Sequence, residues 1–287
     1  MRRKQLWMPV VSISIAILLA LPLQPLAQSN SNASQQKLSK EELAQLLAPI
    51  ALYPDELVAQ ILMASTYPLE VVQADRWVKK NKQIKGDALA KALEKENWDP
   101  SVKSLVGFPS VLAAMSEKLD LTTKVGDAFL SQQKDVMDTV QMLRKKAYDA
   151  GNLKTSKEQK VIVEKEVIVI KPADPEVVYV PSYSPTVVYG AWMYPAYPPY
   201  YYYPPPPPAY PAYHFAAGVA IGVAWGYAWG NCNWQGGHVE QNINQNININ
   251  RNIDRSKYQS RVKTSDRKWQ HNPEHRRGVA YKDGATA

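Results

Sequence analysis

Tyr53-Pro54-Asp55-Glu56-Leu57-Val58 and, fourteen residues on, Tyr67-Pro68-Leu69-Glu70-Val71-Val72 decide how this chain folds. In each copy the proline falls where a helix begins. Proline lacks the N–H that a first helical turn leaves unbonded, and its φ is preset. The glutamate two residues later sits at the positive end of the helix dipole. Apolar pairs follow at Leu57/Val58 and Ile61/Leu62, then at Val71/Val72 and Trp77/Val78, which is helical spacing. The repeat predicts two short helices joined by a tight corner. The Tyr-Pro-x-Glu elements, with Asp55, Glu56 and Glu70, read as helix starts rather than as a binding motif.

Outward from this pair the helical pattern continues. Ser39-Lys40-Glu41-Glu42 supplies an N-cap and an acidic first turn ahead of Leu43, Leu46, Leu47 and Ile50. Further starts fall at Asp87, at Asp99-Pro100 and at Pro109-Ser110. The longest helix is expected to begin near Asp120. Residues 127–150 contain no glycine or proline, and Phe129, Val136, Val140, Leu143 and Ala147 recur at helical spacing. Arg144-Lys145-Lys146 then lies in the last turns, where cations complement the dipole, and Gly151-Asn152 stops the helix. Residues 38–152 read as an all-α domain with one core, in which Trp77, Trp98 and Phe108 belong.

Downstream the composition changes three times. Residues 160–170 are rich in β-branched residues, and two further extended runs follow between prolines, at 176–180 and 186–190. Residues 153–190 therefore read as a small antiparallel β ribbon. Residues 191–211 hold four consecutive tyrosines and five consecutive prolines, a semi-rigid extended arm that is a spacer or an aromatic surface. Next comes Phe215-Ala-Ala-Gly-Val-Ala-Ile-Gly-Val-Ala-Trp-Gly-Tyr-Ala-Trp-Gly230, with Gly218, Gly222, Gly226 and Gly230 four apart. Read as a helix over 212–230, the run presents a face without side chains, suited to close packing in a bilayer. At 1.5 Å per residue it spans about 28 Å against a hydrocarbon core of about 30 Å. Tyr213 at one end and Trp225 and Trp229 at the other resemble interfacial aromatic belts. The alternatives are a helix buried against protein and a flexible glycine-aromatic stretch.

The ends of the chain carry its charge. Arg2-Arg3-Lys4, an apolar run over 10–21 and Leu26-Ala27 form the pattern of a signal peptide over 1–27, with an uncleaved anchor as the alternative. A polar linker covers 28–37. The helical region is neutral, with 16 charges of each sign over 28–150, whereas residues 251–287 hold ten cations and four acids. In an Asn/Ile-rich segment at 231–254, every even position from Asn242 to Asn252 is asparagine and the odd positions between are mostly apolar. It reads as an edge strand, a self-association element or a polar linker. The basic tail, 255–287, is expected to be largely disordered. Its Trp269, His271, His275, Arg276 and Arg277 are the candidates for docking on a partner or an anionic surface. Pro273 between the two histidines argues against a shared metal face. A single cysteine, Cys232, excludes an intrachain disulfide and reads as inert.

No phosphate-cradling glycine loop, nucleophile elbow or metal-spaced ligand set is present in the sequence. The expectation is a mainly α, non-enzymatic protein with no catalytic residues, no metal site and no cofactor; the alternatives are a soluble periplasmic interaction or self-assembly module and, more remotely, an enzyme with an unrecognised site. A membrane, an envelope protein, an anionic surface and a second copy are the candidate partners, and nucleic acid is not among them.

Several pieces together resemble one bacterial family. They are the signal pattern, the Leu52–Leu62 helix with its Thr66-Tyr-Pro-Leu-Glu-Val-Val echo, Val178-Tyr-Val-Pro-Ser-Tyr-Ser-Pro185, the glycine-rich run, and Trp269-x-His-Asn-Pro-x-His-Arg-Arg-Gly-Val-x-Tyr281. The family is the domain of unknown function numbered thirty-three hundred. The resemblance implies an exported, membrane-associated protein of the bacterial cell envelope, with a periplasmic domain and no assigned activity.

Overall fold

The computed structural model describes residues 37–174, 177–202, 213–215, 218–220, 228–243 and 268–282. All belong to one unit, Gln35–Ala287. The protein is mainly α, with small antiparallel sheets. The expected signal peptide lies outside the described residues.

Eight helices build the body: α1 (Lys40–Leu47), α2 (Asp55–Ser65), α3 (Pro68–Lys80), α4 (Gly86–Glu94), α5 (Pro100–Leu105), α6 (Pro109–Glu117), α7 (Leu119–Ser131) and α8 (Gln133–Asp149). Ser39 and Glu42 form a reciprocal capping box on α1, and prolines open α3, α5 and α6. The centre is α2, buried along nearly its whole length, from Leu57 to Ser65. A helix apolar on every side must be surrounded, and α2 packs on α3, α5 and α7. The approach to α7 is close because residue 126 is glycine: a Cβ there would lie 2.2 Å from the Ser65 carbonyl oxygen.

The expected single helix from Asp120 to Ala150 is interrupted. Gln132 leaves helical geometry (φ −148°, ψ 50°) and separates α7 from α8. Its side chain instead pairs with the backbone of Leu38, accepting at 2.7 Å and donating at 3.0 Å. A tertiary contact overrides a locally uninterrupted helical pattern there.

The β structure is dispersed rather than gathered in one ribbon. Strands β1 (Gln159–Glu164) and β2 (Val167–Pro172) form a hairpin, with Ile168 and Ile170 buried. Strand β3 (Val177–Val178) and strand β4 (Pro181–Tyr183) pair across the chain with β6 (Val219–Ala220) and β5 (Tyr213–Phe215), respectively. The run 186–190, expected to be extended, instead begins within a short helix, α9 (Pro185–Val188). Strands β7 (Ala228–Asn233) and β8 (His238–Ile243) make a last hairpin that packs on α2.

Tyrosines fasten these additions to the body. The turn after α1 leaves carbonyls without helical partners. The Tyr183 and Tyr189 hydroxyls donate to Ala48 O at 2.9 and 2.6 Å, and the Tyr213 hydroxyl lies 3.2 Å from Leu52 O. The start of the tyrosine-proline arm is held as well: Gln45 donates to Pro198 O and accepts from Tyr200 N–H.

The glycine run differs from the expected helix wherever it is described. Tyr213–Phe215, Val219–Ala220 and Ala228–Gly230 are strand. The reason lies in the packing. A Cβ on Gly230 would stand 2.7 Å from Ala59 Cβ and 2.8 Å from Met63 Cε, both on α2. One on Gly218 would meet Val177 and the Tyr179 ring. These glycines admit close contact with protein. Tyr213, expected at a membrane interface, stacks on Tyr183 at 5.7 Å. Trp229 lies in β7, while Gly222, Gly226 and Trp225 lie outside the described residues. Among the described residues no helix is long and apolar enough to cross a membrane.

Candidate functional site

The tail, expected to be largely disordered, is ordered and docked over residues 268–282. The physical reason is that its charged and aromatic side chains find buried partners on the body. The backbone of Lys268 forms an antiparallel β-bridge with that of Glu240 in β8, and Trp269 N–H donates to Val239 O at 2.9 Å. The Trp269 ring lies 5.3 Å from Phe129 of α7. Asn272 accepts from Glu274 N–H and so caps a short helix, α10 (Pro273–Arg276). Arg277 (φ 54°) and Gly278 (φ 78°) then turn the chain in the left-handed region.

The second Tyr-Pro element receives this peptide. The Tyr67 hydroxyl accepts from Asn272 N–H at 3.0 Å. The Tyr67 ring stacks on His271 at 5.1 Å and meets the edge of His275 at 5.8 Å. Glu70, fully buried on α3, collects three donors: Asp99 N–H at 2.6 Å, His275 Nδ1 at 2.9 Å and Arg277 Nε at 3.2 Å. Arg277 also donates to Asn97 O. A carboxylate can be buried when its charge is met by this many hydrogen bonds.

Arg276 is the deepest anchor, 1% exposed. Its Nη2 pairs with Asp127 Oδ1 of α7 at 2.7 Å and donates to Ala280 O at 2.7 Å. Its Nε donates to Val279 O and its Nη1 to Thr66 O. The guanidinium also lies 4.2 Å from the centre of the Tyr281 ring. These bonds hold the tail's own turn and tie it to both α7 and the end of α2.

Burial perturbs the titrating groups here. His271 falls to about 4 because burial disfavours its charged form, with Arg276 and His275 adding repulsion. Its Nε2 lies 2.9 Å from the Tyr281 hydroxyl, while Nδ1 is buried without a hydrogen-bond partner. Burial raises Tyr67, and it raises Asp99 despite two bonds from Ser101. Both Glu70 oxygens are engaged, so the Glu70–His275 pair acts as an anchor between two segments. Among the described residues no group of three or more histidines, cysteines or acids is placed to hold a metal.

The first Tyr-Pro element forms a second buried centre. Arg144, fully buried, pairs with Asp55 at 2.5 Å and donates to the Ala51, Tyr53 and Ile168 carbonyls. Asp55 also accepts from Ile170 N–H and from Trp234 Nε1, the latter at 2.7 Å. Trp234 follows β7 and packs on the guanidinium, 4.6 Å away. Buried Cys232 donates to Asp55 O, and burial pushes its thiol well above its ordinary value. The sequence reading of Arg144 as a dipole-capping cation missed this pair. Position 144 lies four residues after Val140 and three before Ala147, on the core face, and a cation there requires a buried acid.

All five tail candidates, Trp269, His271, His275, Arg276 and Arg277, are brought together, but on the chain's own helices. Tyr67, Glu70 and Asp127, which receive them, were not singled out as binding residues. The signal for Glu70 is its place on the buried stripe of α3 with Val71 and Ala74.

The profile of a family described as a protein of unknown function (DUF3300) matches residues 39–271. The chain is similar to the uncharacterized protein YacH of Escherichia coli (strain K12), 45% identical over 193 residues. That stretch is 56% of this chain and 31% of YacH, so the chain spans about a third of the relative it matches. No solved structure matches. The family match begins at the cap of α1 and runs through both Tyr-Pro elements to His271 in the docked peptide, and by it this chain belongs to the DUF3300 family of proteins of unknown function.

Proposed function

We propose that the protein is a non-enzymatic component of the bacterial cell envelope that works by binding. Its helical domain holds a Trp-x-His-Asn-Pro-x-His-Arg peptide across α2, α3 and α7, and its own residues 268–282 fill that site. The observation that carries the reading is the burial of Arg276 against Asp127. A buried cation on a peptide that joins the body through 24 residues after β8 (244–267) is a specific recognition device. The N-terminal charge and hydropathy pattern supports export. The strands at both ends of the glycine run lie on protein, which favours a peripheral or periplasmic interaction module over a chain anchored by a spanning helix.

The test uses the full-length chain. In Arg276→Met the chain's own peptide holds the site less tightly, and a labelled wild-type peptide of residues 268–282 is expected to displace it and bind saturably, while the wild-type chain takes up far less. Absence of binding to the variant refutes the recognition role. Recovery of the protein with cytoplasmic markers after osmotic shock refutes the envelope assignment separately.

A further inference from the structure

We propose that a recess beside the docked tail is a binding site for a small anion with a compact apolar body. Its volume is about 380 Å³, within the roughly 300–1,000 Å³ typical of small-molecule sites. Four stretches distant in sequence build it: one face of α1 with Leu38 before it, the second half of α7 with Gln132, Tyr200 of the arm and residues 280–282 of the tail. It is therefore complete only while the tail is docked.

The lining sets the ligand chemistry. Leu46 and Ala128, both buried, and the half-buried rings of Tyr200 and Tyr281 make it mainly apolar. Such surfaces favour a flat or compact hydrocarbon body. The charged groups at the site are Lys124, Lys282, Glu42 and Asp127. Asp127 is matched by Arg276 at 2.7 Å, and Glu42 accepts Ser39 N–H at 2.8 Å in the capping box. Asp127 and Arg276 offset each other, which leaves Lys124 and Lys282 against Glu42. The balance favours an anionic head, and the exposure of Lys124 and Lys282 keeps that head at the wet rim while the body enters. A carboxylate, sulfonate or phosphate head meets these requirements equally.

The experiment titrates the full-length protein with 8-anilinonaphthalene-1-sulfonate, an aromatic anion whose emission reports an apolar site. Saturable binding of one dye per chain is expected. Lys124→Glu, an exposed charge reversal, should weaken it about fivefold. Ser131→Trp, which fills the recess from its half-exposed side, should abolish it, with thermal unfolding of both variants unchanged. Arg276→Met, which loosens the Tyr281 and Lys282 side of the recess, should also weaken it. No saturable binding in the wild-type chain, or equal binding in Lys124→Glu and Ser131→Trp, overturns the proposal. Binding that appears only after removal of residues 283–287 overturns it as well, because the chain's own end would then be the occupant.

Discussion

Replacing Arg276 with methionine probes the clasp at its deepest point. Methionine keeps much of the stem length and volume but removes every donor. The docked variant would leave Asp127 buried without its 2.7 Å partner and the Thr66, Val279 and Ala280 carbonyls without the guanidinium. Breaking a buried pair from one side costs about 3–5 kcal/mol. The chain need not bear that cost in full, since undocking residues 268–282 returns Asp127 to water. The expected result is therefore local release rather than global unfolding, with the undocked fraction rising roughly 100-fold for a loss of about 3 kcal/mol. Native-state hydrogen exchange reads this directly. Trp269 N–H bonds to Val239 O and Asn272 N–H to the Tyr67 hydroxyl only while the tail is docked. Both should exchange about two orders of magnitude faster in the variant, with α8 unchanged as the reference. Asp127→Asn should produce a similar release, and the double variant should cost less than the sum of the two, as expected of one interaction removed twice. Unchanged exchange at Trp269 and Asn272 in Arg276→Met refutes the reasoning.

Three other perturbations separate this fold from its alternatives. Gly230→Ala forces a Cβ to 2.7 Å from Ala59, and such overpacking should cost about 1–3 kcal/mol and lower the melting temperature by about 2–10 °C; a spanning helix would instead gain from alanine. Arg144→Lys supplies three donors to a site with four acceptors and should lower stability by about 3 kcal/mol or more, read from the urea midpoint at constant m. The depressed His271 gives the docked state a pH dependence. A histidine at about 4 when docked and 6.5 when free in water binds its proton more readily once released, so its contribution is complete above 6.5 and is lost as pH falls through 4. Buried Asp99, raised by burial, works in the opposite sense at the acid end. The protection factors of the tail amides, corrected for the intrinsic slowing of exchange with acid, should fall between pH 6.5 and 4, and His271→Phe should flatten that slope; an unchanged slope in the variant rejects the assignment.

The helical body was largely legible because its signals are local. The capping box at Ser39 and the prolines at 54, 68, 100 and 109 mark helix starts whatever the rest of the chain does. Where long-range contacts govern, the pattern misleads. The break at Gln132 answers to Leu38, 94 residues away. The glycine run has the composition of a packed helix, yet Gly230 serves the approach of a strand to α2. A spacing of four suits a helix face, but a glycine tells only that something comes close. The tail's basic and aromatic residues were recognisable as a docking peptide; their partners were not. Tyr67 and Glu70 also fit a helix start, and nothing in their own neighbourhood discloses that residues more than 200 positions later return to them.

The central claim is that residues 268–282 lie on the helical domain of the same chain. Nuclear Overhauser contacts in the full-length protein, with histidine and tyrosine rings selectively labelled, test it most directly. The account predicts cross-peaks between the His271 and Tyr67 rings, which stack at 5.1 Å, and between His271 and Tyr281, whose centroids are 5.7 Å apart. Sharp, unstructured-peptide resonances for His271 and His275, without contact to Tyr67, would contradict it.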